Sequence, residues 1–321
     1  MRLAIRRATS ESDILLAIAE GDKLHWNIAP REAPTFIAGG GAFYVGESSI
    51  TDKSPVSPVA WISAAQYPIV SPTVDPLSSS YAHVSFFLVR EDMRRHGFGS
   101  QMWQHMLQDT RAAAMGSHVT YGLDSVADLV PHYTTKGFKK VFTLPLYSFP
   151  AAVVAAVNAP LPDGTQIVAW FAPPNNVGSV SYDDIAAYDS VATGIDRRQM
   201  LAAHAAGYGA VARAVVRDSD GAIVGIAVGA LESDGGCEIS PLIADSPSIA
   251  RALLAAVALE WTAADAKITM WPPSTNSAAT ALCVDVGGEV VFEGLHRMSD
   301  GVETGARNVE RVYSILSPEY S

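Results

Sequence analysis

The residues with the most evident chemistry lie between His83 and Leu107, where the apolar run from His83 to Val89 leads into Arg94-Arg95-His96-Gly97-Phe98-Gly99-Ser100. Gly97 and Gly99 let a backbone come close to a ligand. A turn there aims successive N–H groups outward, and the start of a following helix adds positive potential. Such an arrangement is a cradle for an anion of the pyrophosphate kind. His83 and Ser85 alternate along the strand before it and so share one face.

A cradle of this sort needs a strand in front and a helix behind, and the pattern supplies both. In the first half it predicts strands at Leu3–Arg7, Phe43–Glu47, Val59–Ala64, His83–Val89, Val119–Leu123 and Val141–Tyr147. Helices are expected after Thr9, from Gly99 to Ala114, and in a short piece ending near Lys136. The Pro- and Ser-rich stretch Tyr67–Ser80 reads as a loop beside the cradle, a candidate lid. Prolines, a glycine and small residues then mark a linker, which divides the chain into domains at 1–149 and 165–321 with 150–164 between them. The second half repeats the plan. Helices are expected near 182–192, 197–206, 247–264 and 274–285, with strands at Ala210–Arg217, Ala222–Leu231, Gly236–Ile243 and Ile268–Trp271 and a last strand pair including Val290–Phe292 and Val312–Leu316.

Composition narrows the class. The chain has 321 residues, 49% hydrophobic and 17% charged, which suits two ordered cores and no disordered tail. Two cysteines, Cys237 and Cys283, are too few to staple a fold of this size, so a reducing, cytoplasmic home is expected. The opening residues lack a signal-like apolar core. The most apolar run, 151–157, is too short to span a bilayer, so no membrane is expected. The net charge of −11 falls wholly in the second half, because residues 1–150 carry 13 basic and 13 acidic side chains and residues 151–321 carry 9 and 20. That balance argues against a nucleic-acid partner. It serves either to draw in a cationic substrate or only to keep the surface soluble.

Arg94-x-x-Gly97-x-Gly99 after a strand, with Tyr133-Thr134-Thr135-Lys136-Gly137-Phe138 at the end of the next helix, resembles the GNAT superfamily of acyl-CoA N-acyltransferases. The second half is similar to the extra C-terminal domain of YitH/HolE-like members, through Ile239-Ser240-Pro241-Leu242 with Ala244-Asp245, then Asn276 and His296-Arg297-Met298. The resemblance implies an α/β fold of two tandem GNAT-like domains, each a mixed, mostly antiparallel twisted sheet flanked by helices. It implies acetyl-CoA as co-substrate, and since the eight histidines show no metal-ligand spacing with the two cysteines, no metal is expected. Backbone groups near Leu88 and Val89 would bind the pantetheine arm and polarise the thioester. N–H groups of Arg95, His96, Gly97, Phe98, Gly99 and Ser100 would hold the pyrophosphate, with the side chain of Arg90, Arg94 or Arg95 on phosphate oxygens. Tyr133 matches the tyrosine that protonates the departing thiolate, as a phenol protonated at neutral pH can do. Members often carry a carboxylate base on the strand before the cradle, but this strand has none, so His83, or Ser85 through water, is the candidate base.

The second half lacks this machinery. Asp245-Ser246-Pro247-Ser248-Ile249-Ala250-Arg251 has no glycine, and Cys283 stands in the tyrosine position, so it reads as a degenerate copy that walls the acceptor pocket. Other motifs fail on context. His105-x-x-x-Asp109 lies within a helix as an i,i+4 pair, and Gly97-x-Gly99 is followed by Met102 where a dinucleotide fingerprint needs glycine. The expectation is direct acetyl transfer to a small-molecule primary amine in a ternary complex. The alternative is an acyl-CoA-binding sensor without turnover.

Overall fold

Strands whose residues alternate between two apolar faces, and helices with one apolar stripe, must stack as layers, and here they make a single broad sheet covered on both sides. The computed structural model describes residues 3–26, 28–49, 55–70, 78–115, 117–157, 159–170, 180–261, 263, 265–301 and 308–320. The first half runs β1 (Ala4–Arg7), α1 (Glu11–Asp22), α2 (Glu32–Ala38), β2 (Ala42–Ser48), β3 (Ser57–Pro68), β4 (Ser78–Val89), α3 (Phe98–Ala113), β5 (His118–Ser125), α4 (Val130–Thr134) and β6 (Lys139–Pro150). The second half runs α5 (Ala151–Ala155), β7 (Thr165–Ala169), α6 (Tyr182–Thr193), α7 (Arg198–Ala205), β8 (Val211–Arg217), β9 (Ile223–Leu231), β10 (Cys237–Ala244), α8 (Pro247–Ala258), β11 (Lys267–Met270), α9 (Ser277–Asp285), β12 (Glu289–Ser299) and β13 (Val312–Ser314). This is the expected mixed α/β fold with a mostly antiparallel sheet; β4–β5 and β10–β11 pair in parallel.

The halves trade strands. The sheet order is β1-β2-β3-β4-β5-β12-β6-β11-β10-β9-β8-β7, with β13 added on β10. So β12 of the second half lies between β5 and β6 of the first, and β6 in return pairs with β11. At Gly294 in β12 the backbone takes φ +118°, and a β-carbon there would sit 2.5 Å from the Leu144 carbonyl oxygen, so only glycine allows this close pairing. Arg297 of β12 and Asp124 of β5 form a buried bidentate pair at 2.6 and 2.9 Å, with the guanidinium over Phe142. Removing one member of such a pair leaves a stranded charge, which ties the exchange down.

Two sequence expectations change. Val290–Phe292 and Val312–Leu316 are not partners: β12 pairs with β5 and β6, β13 with β10. The helix expected over 247–264 ends at Ala258. Of the proposed lid, Tyr67–Pro68 extends β3 and Ser78–Ser80 begins β4, while 71–77 lie outside the described residues. No described helix is long and apolar enough to cross a membrane.

α3 buries Phe98, Met102, Trp103, Met106 and Thr110, one stripe at helical spacing, against one face of the first-half sheet. The other face shares a core with the second half, in which Phe36, Phe43 and Phe86 meet Ile185, Met200 and Tyr320. The cradle side of the sheet is thus served by α3, and the opposite side faces the second half.

Candidate active site

β4 and β5 pair in parallel as far as Val84–Leu123 and then part, β4 running on to Val89 beside β3 and β5 to Ser125 beside β12. The register of β4 on β3 slips between Trp61 and Ser63, and Phe86 there takes φ +48°. A bulge of this kind re-aims side chains. Phe86 turns into the shared core at 5.3 Å from Phe36 and 6.4 Å from Trp26, while Phe87 packs on Trp103 at 5.5 Å. Leu88 is buried and Val89 partly so at the parted edge.

The cradle follows directly. Arg95 (φ +66°) and Gly97 (φ +76°) are both left-handed, and Gly97 caps α3 with no side chain over the helix end. A β-carbon on Gly97 would meet no atom within 4 Å, so the space in front of the helix is open. The first-turn N–H groups of Phe98, Gly99 and Ser100 have no acceptor within the helix and point at that space. Arg95, His96, Gly97 and Ser100 are exposed. Arg94 Nε donates to the Val89 carbonyl at 3.1 Å, and Arg90 pairs with Asp92 at 2.6 Å. A diphosphate fits this open, unprotected, amide-lined turn.

Tyr133 of α4 is linked to β4 through α3: its ring is 6.0 Å from that of Trp103, which in turn lies 5.5 Å from Phe87. Burial pushes its hydroxyl up to about 12, so it holds its proton through the neutral range.

His83 and Ser85 do lie on one face, and that face is occupied by the C-terminal segment. His83 Nε2 donates to the Pro318 carbonyl at 2.9 Å, so Nδ1 accepts from the Tyr81 hydroxyl at 3.2 Å. Both ring nitrogens are thereby engaged, and burial pulls the imidazole down to about 4. Ser85 Oγ lies 2.7 Å from Ser63 Oγ and donates to the Glu319 carbonyl at 2.5 Å. Tyr67 donates to the Tyr320 carbonyl at 2.6 Å, and the Tyr320 hydroxyl donates to Glu32 Oε2 at 2.6 Å. Four residues of the first half thus seat three residues of the tail.

Seated there, Glu319 lines a cavity of about 90 Å³ between the halves, together with Trp26, Arg31, Glu32 and Leu146 from the first half and Glu232, Glu238 and Trp271 from the second. Burial pushes the Glu319 carboxyl up to about 7, with an opposing hydrogen bond from Ser317. Burial also raises Glu32, Glu232 and Glu238, and the last is raised further by Glu232. None of these four carboxylates was singled out from sequence. Their positions in the chain span residues 32 to 319, and no local spacing marks them as one group.

The equivalent region of the second half is closed. β10 and β11 pair up to Ile239–Met270 and part, but β13 enters the gap: Leu242 and Ile243 of β10 pair with it, and it meets the end of β11 through Trp271 N–H to Ser314 Oγ at 3.0 Å. At the start of α8, Ser246 accepts from the Ile249 N–H and Pro247 has no donor to offer. Asp245 is held by Tyr188 and Arg311. Cys283 is buried in α9.

Two family models for an acetyltransferase (GNAT) domain match the chain, one over residues 63–147 and one over residues 185–314. A search of the curated proteins returned no match. Among solved structures, the chain is similar to a candidate acetyltransferase from Pyrococcus horikoshii at 18% identity, over 99% of this chain and 96% of that one, with a TM-score of 0.68. It is also similar to a tandem GNAT protein of the clavulanic acid biosynthesis pathway (16%, 93% and 98%, TM-score 0.61). A third is a GCN5-related N-acetyltransferase from Sphaerobacter thermophilus (14%, 93% and 96%, TM-score 0.51). At such identities the likeness to these structures is one of fold.

Proposed function

Because the chain belongs to the GNAT acetyltransferase superfamily and carries two of its domains in tandem, we propose that its first half moves an acetyl group from acetyl-CoA directly to a primary amine, while its second half and tail complete the acceptor side. The observations that carry this reading are an open glycine cradle after a parted strand pair, a protonated Tyr133 that reaches β4 through Trp103 and Phe87, and a carboxylate-lined cavity walled in part by the tail that docks on His83 and Ser85 of β4.

N–H groups of residues 95–100 hold the pyrophosphate, with Arg94 or Arg95 on its oxygens, and the backbone at Leu88 and Val89 takes the pantetheine arm. Acetyl-CoA supplies an acyl thioester: a C–N bond forms to the acceptor, the C–S bond breaks, and the sulfur leaves as thiolate. Tyr133 keeps its proton at neutral pH and gives it to that sulfur, later regaining one from solvent. Glu319 takes the proton the ammonium must lose before its nitrogen can attack and passes it to solvent, and the second N–H proton, shed as the C–N bond forms and the C–S bond breaks, leaves to solvent by the same carboxylate. His83 and Ser85 act by holding Glu319 in place. A sensor without turnover was the alternative because β4 carries no carboxylate, and the tail brings one to that strand.

Free thiol release from acetyl-CoA over a panel of primary amines tests the activity. Tyr133→Phe should lower kcat by about ten- to a thousandfold while acetyl-CoA affinity stays within twofold, since the hydroxyl matters only as thiolate forms. A variant whose kcat holds while KM rises would make Tyr133 a packing residue.

A further inference from the structure

The cavity between the halves has more carboxylates than one proton transfer needs. Glu319 and Glu32 both have hydrogen-bond donors, from Ser317 and Tyr320, and Glu232 accepts from Thr269 at 3.3 Å. Glu238 differs: its Oε1 is shut off from solvent and has no hydrogen-bond partner. A carboxylate oxygen in that state costs free energy unless a ligand supplies a donor or a positive charge. The cation lining the cavity, Arg31, lies 3.5 Å from Glu32. The rest of the wall includes the indoles of Trp26 and Trp271, whose faces attract ammonium groups.

We propose that this cavity receives the second ammonium of a dicationic acceptor, an α,ω-diamine or similar aminoalkyl ammonium, with Glu238 as the carboxylate that meets it and Glu232, Trp26 and Trp271 as its surroundings. The inference rests on the reading of the first half as an amine acetyltransferase. Glu319 and Glu238 line the same space of about 90 Å³, so one short alkyl chain places a reacting nitrogen at the first and a distal nitrogen at the second. The distal charge fixes which end reacts, and a monoamine of equal length leaves Glu238 unsatisfied. Burial and Glu232 raise the Glu238 carboxyl well above the usual carboxylate range, so an arriving cation ionises it and a proton leaves.

Calorimetry with 1,4-diaminobutane and 1-aminobutane tests this without any turnover. The intact chain should bind the diamine at least tenfold more tightly than the monoamine, with proton release visible as a dependence of the heat on buffer. In Glu238→Gln, which removes the charge and keeps the shape, that preference should vanish while acetyl-CoA binding is unchanged. Glu232→Gln should reduce the preference in part. Equal affinity for the two amines in the intact chain, or a preference that survives Glu238→Gln, overturns the proposal. Diamine binding without thiol release would sink the transferase reading alone, and thiol release with no diamine preference would sink the pocket alone.

Discussion

In the first half the parallel strands part after Val84 and Leu123, and in the second after Ile239 and Met270, yet the two gaps have opposite fates. One opens onto a left-handed glycine turn whose helix start has no side-chain cap among the described residues. The other is entered by the chain's own β13, and its helix start is capped by Ser246 and Pro247. Even the residue one place before the last parallel pair differs, His83 in one half and Glu238 in the other. A parted sheet is thus common to both halves, and what enters the gap decides whether a ligand can. Asn276 shows how firmly the second is shut. Its Oδ1 caps α9 by accepting from Ala278 and Ala279, while Nδ2 donates to the carbonyls of Val309, Glu310 and Val312 at the start of β13.

The largest effect should come from the tail that continues past that plug into the first half. Glu319→Gln keeps the hydrogen-bonding shape and removes the base, so kcat/KM should fall by about a hundred- to ten-thousandfold. In the wild type, Glu319 holds its proton below pH 7 and cannot take another, so kcat/KM should climb through about pH 7. The same climb should be missing from the variant's pH profile. A variant with wild-type rates would return the proton transfer to another group.

A smaller contrast separates the two gaps. Gly97→Val places a branched side chain in the anion's space and cannot adopt φ +76° without strain, so acetyl-CoA affinity should drop by at least about tenfold. The matching change in the closed gap, Asn276→Ala, should cost at least about 1–2 kcal/mol of stability in chemical denaturation through the lost cap and carbonyl contacts. It should leave acetyl-CoA affinity where it was. A weakened affinity in Asn276→Ala would tie cofactor binding to the second half after all.

How much of this was legible in the sequence follows from which interactions are local. The cradle, α3 and Tyr133 are written in consecutive residues: two glycines, a helical apolar stripe and a tyrosine one helix later. The absence of that pattern at Asp245–Arg251 was equally plain. The exchange of β6 and β12 was not, because strand alternation repeats every two residues and carries no mark of its partner. α2 has seven residues, too few for periodicity to declare itself, and β13, expected as a strand over Val312–Leu316, carried no mark that β10 is its partner. Glu319 lies in Ser317-Pro318-Glu319-Tyr320, where nothing local distinguishes it from a surface carboxylate. Its meaning comes from His83, Ser85 and Tyr67, more than two hundred residues earlier in the chain.

The asymmetry of the two gaps is tested most directly by counting bound acetyl-CoA. Calorimetric titration of the intact chain should give one molecule per chain, and Gly97→Val should lose that one site without uncovering another. A stoichiometry of two, or a site that persists at full affinity in Gly97→Val, would mean that the second gap is open to the ligand and that β13 does not close it.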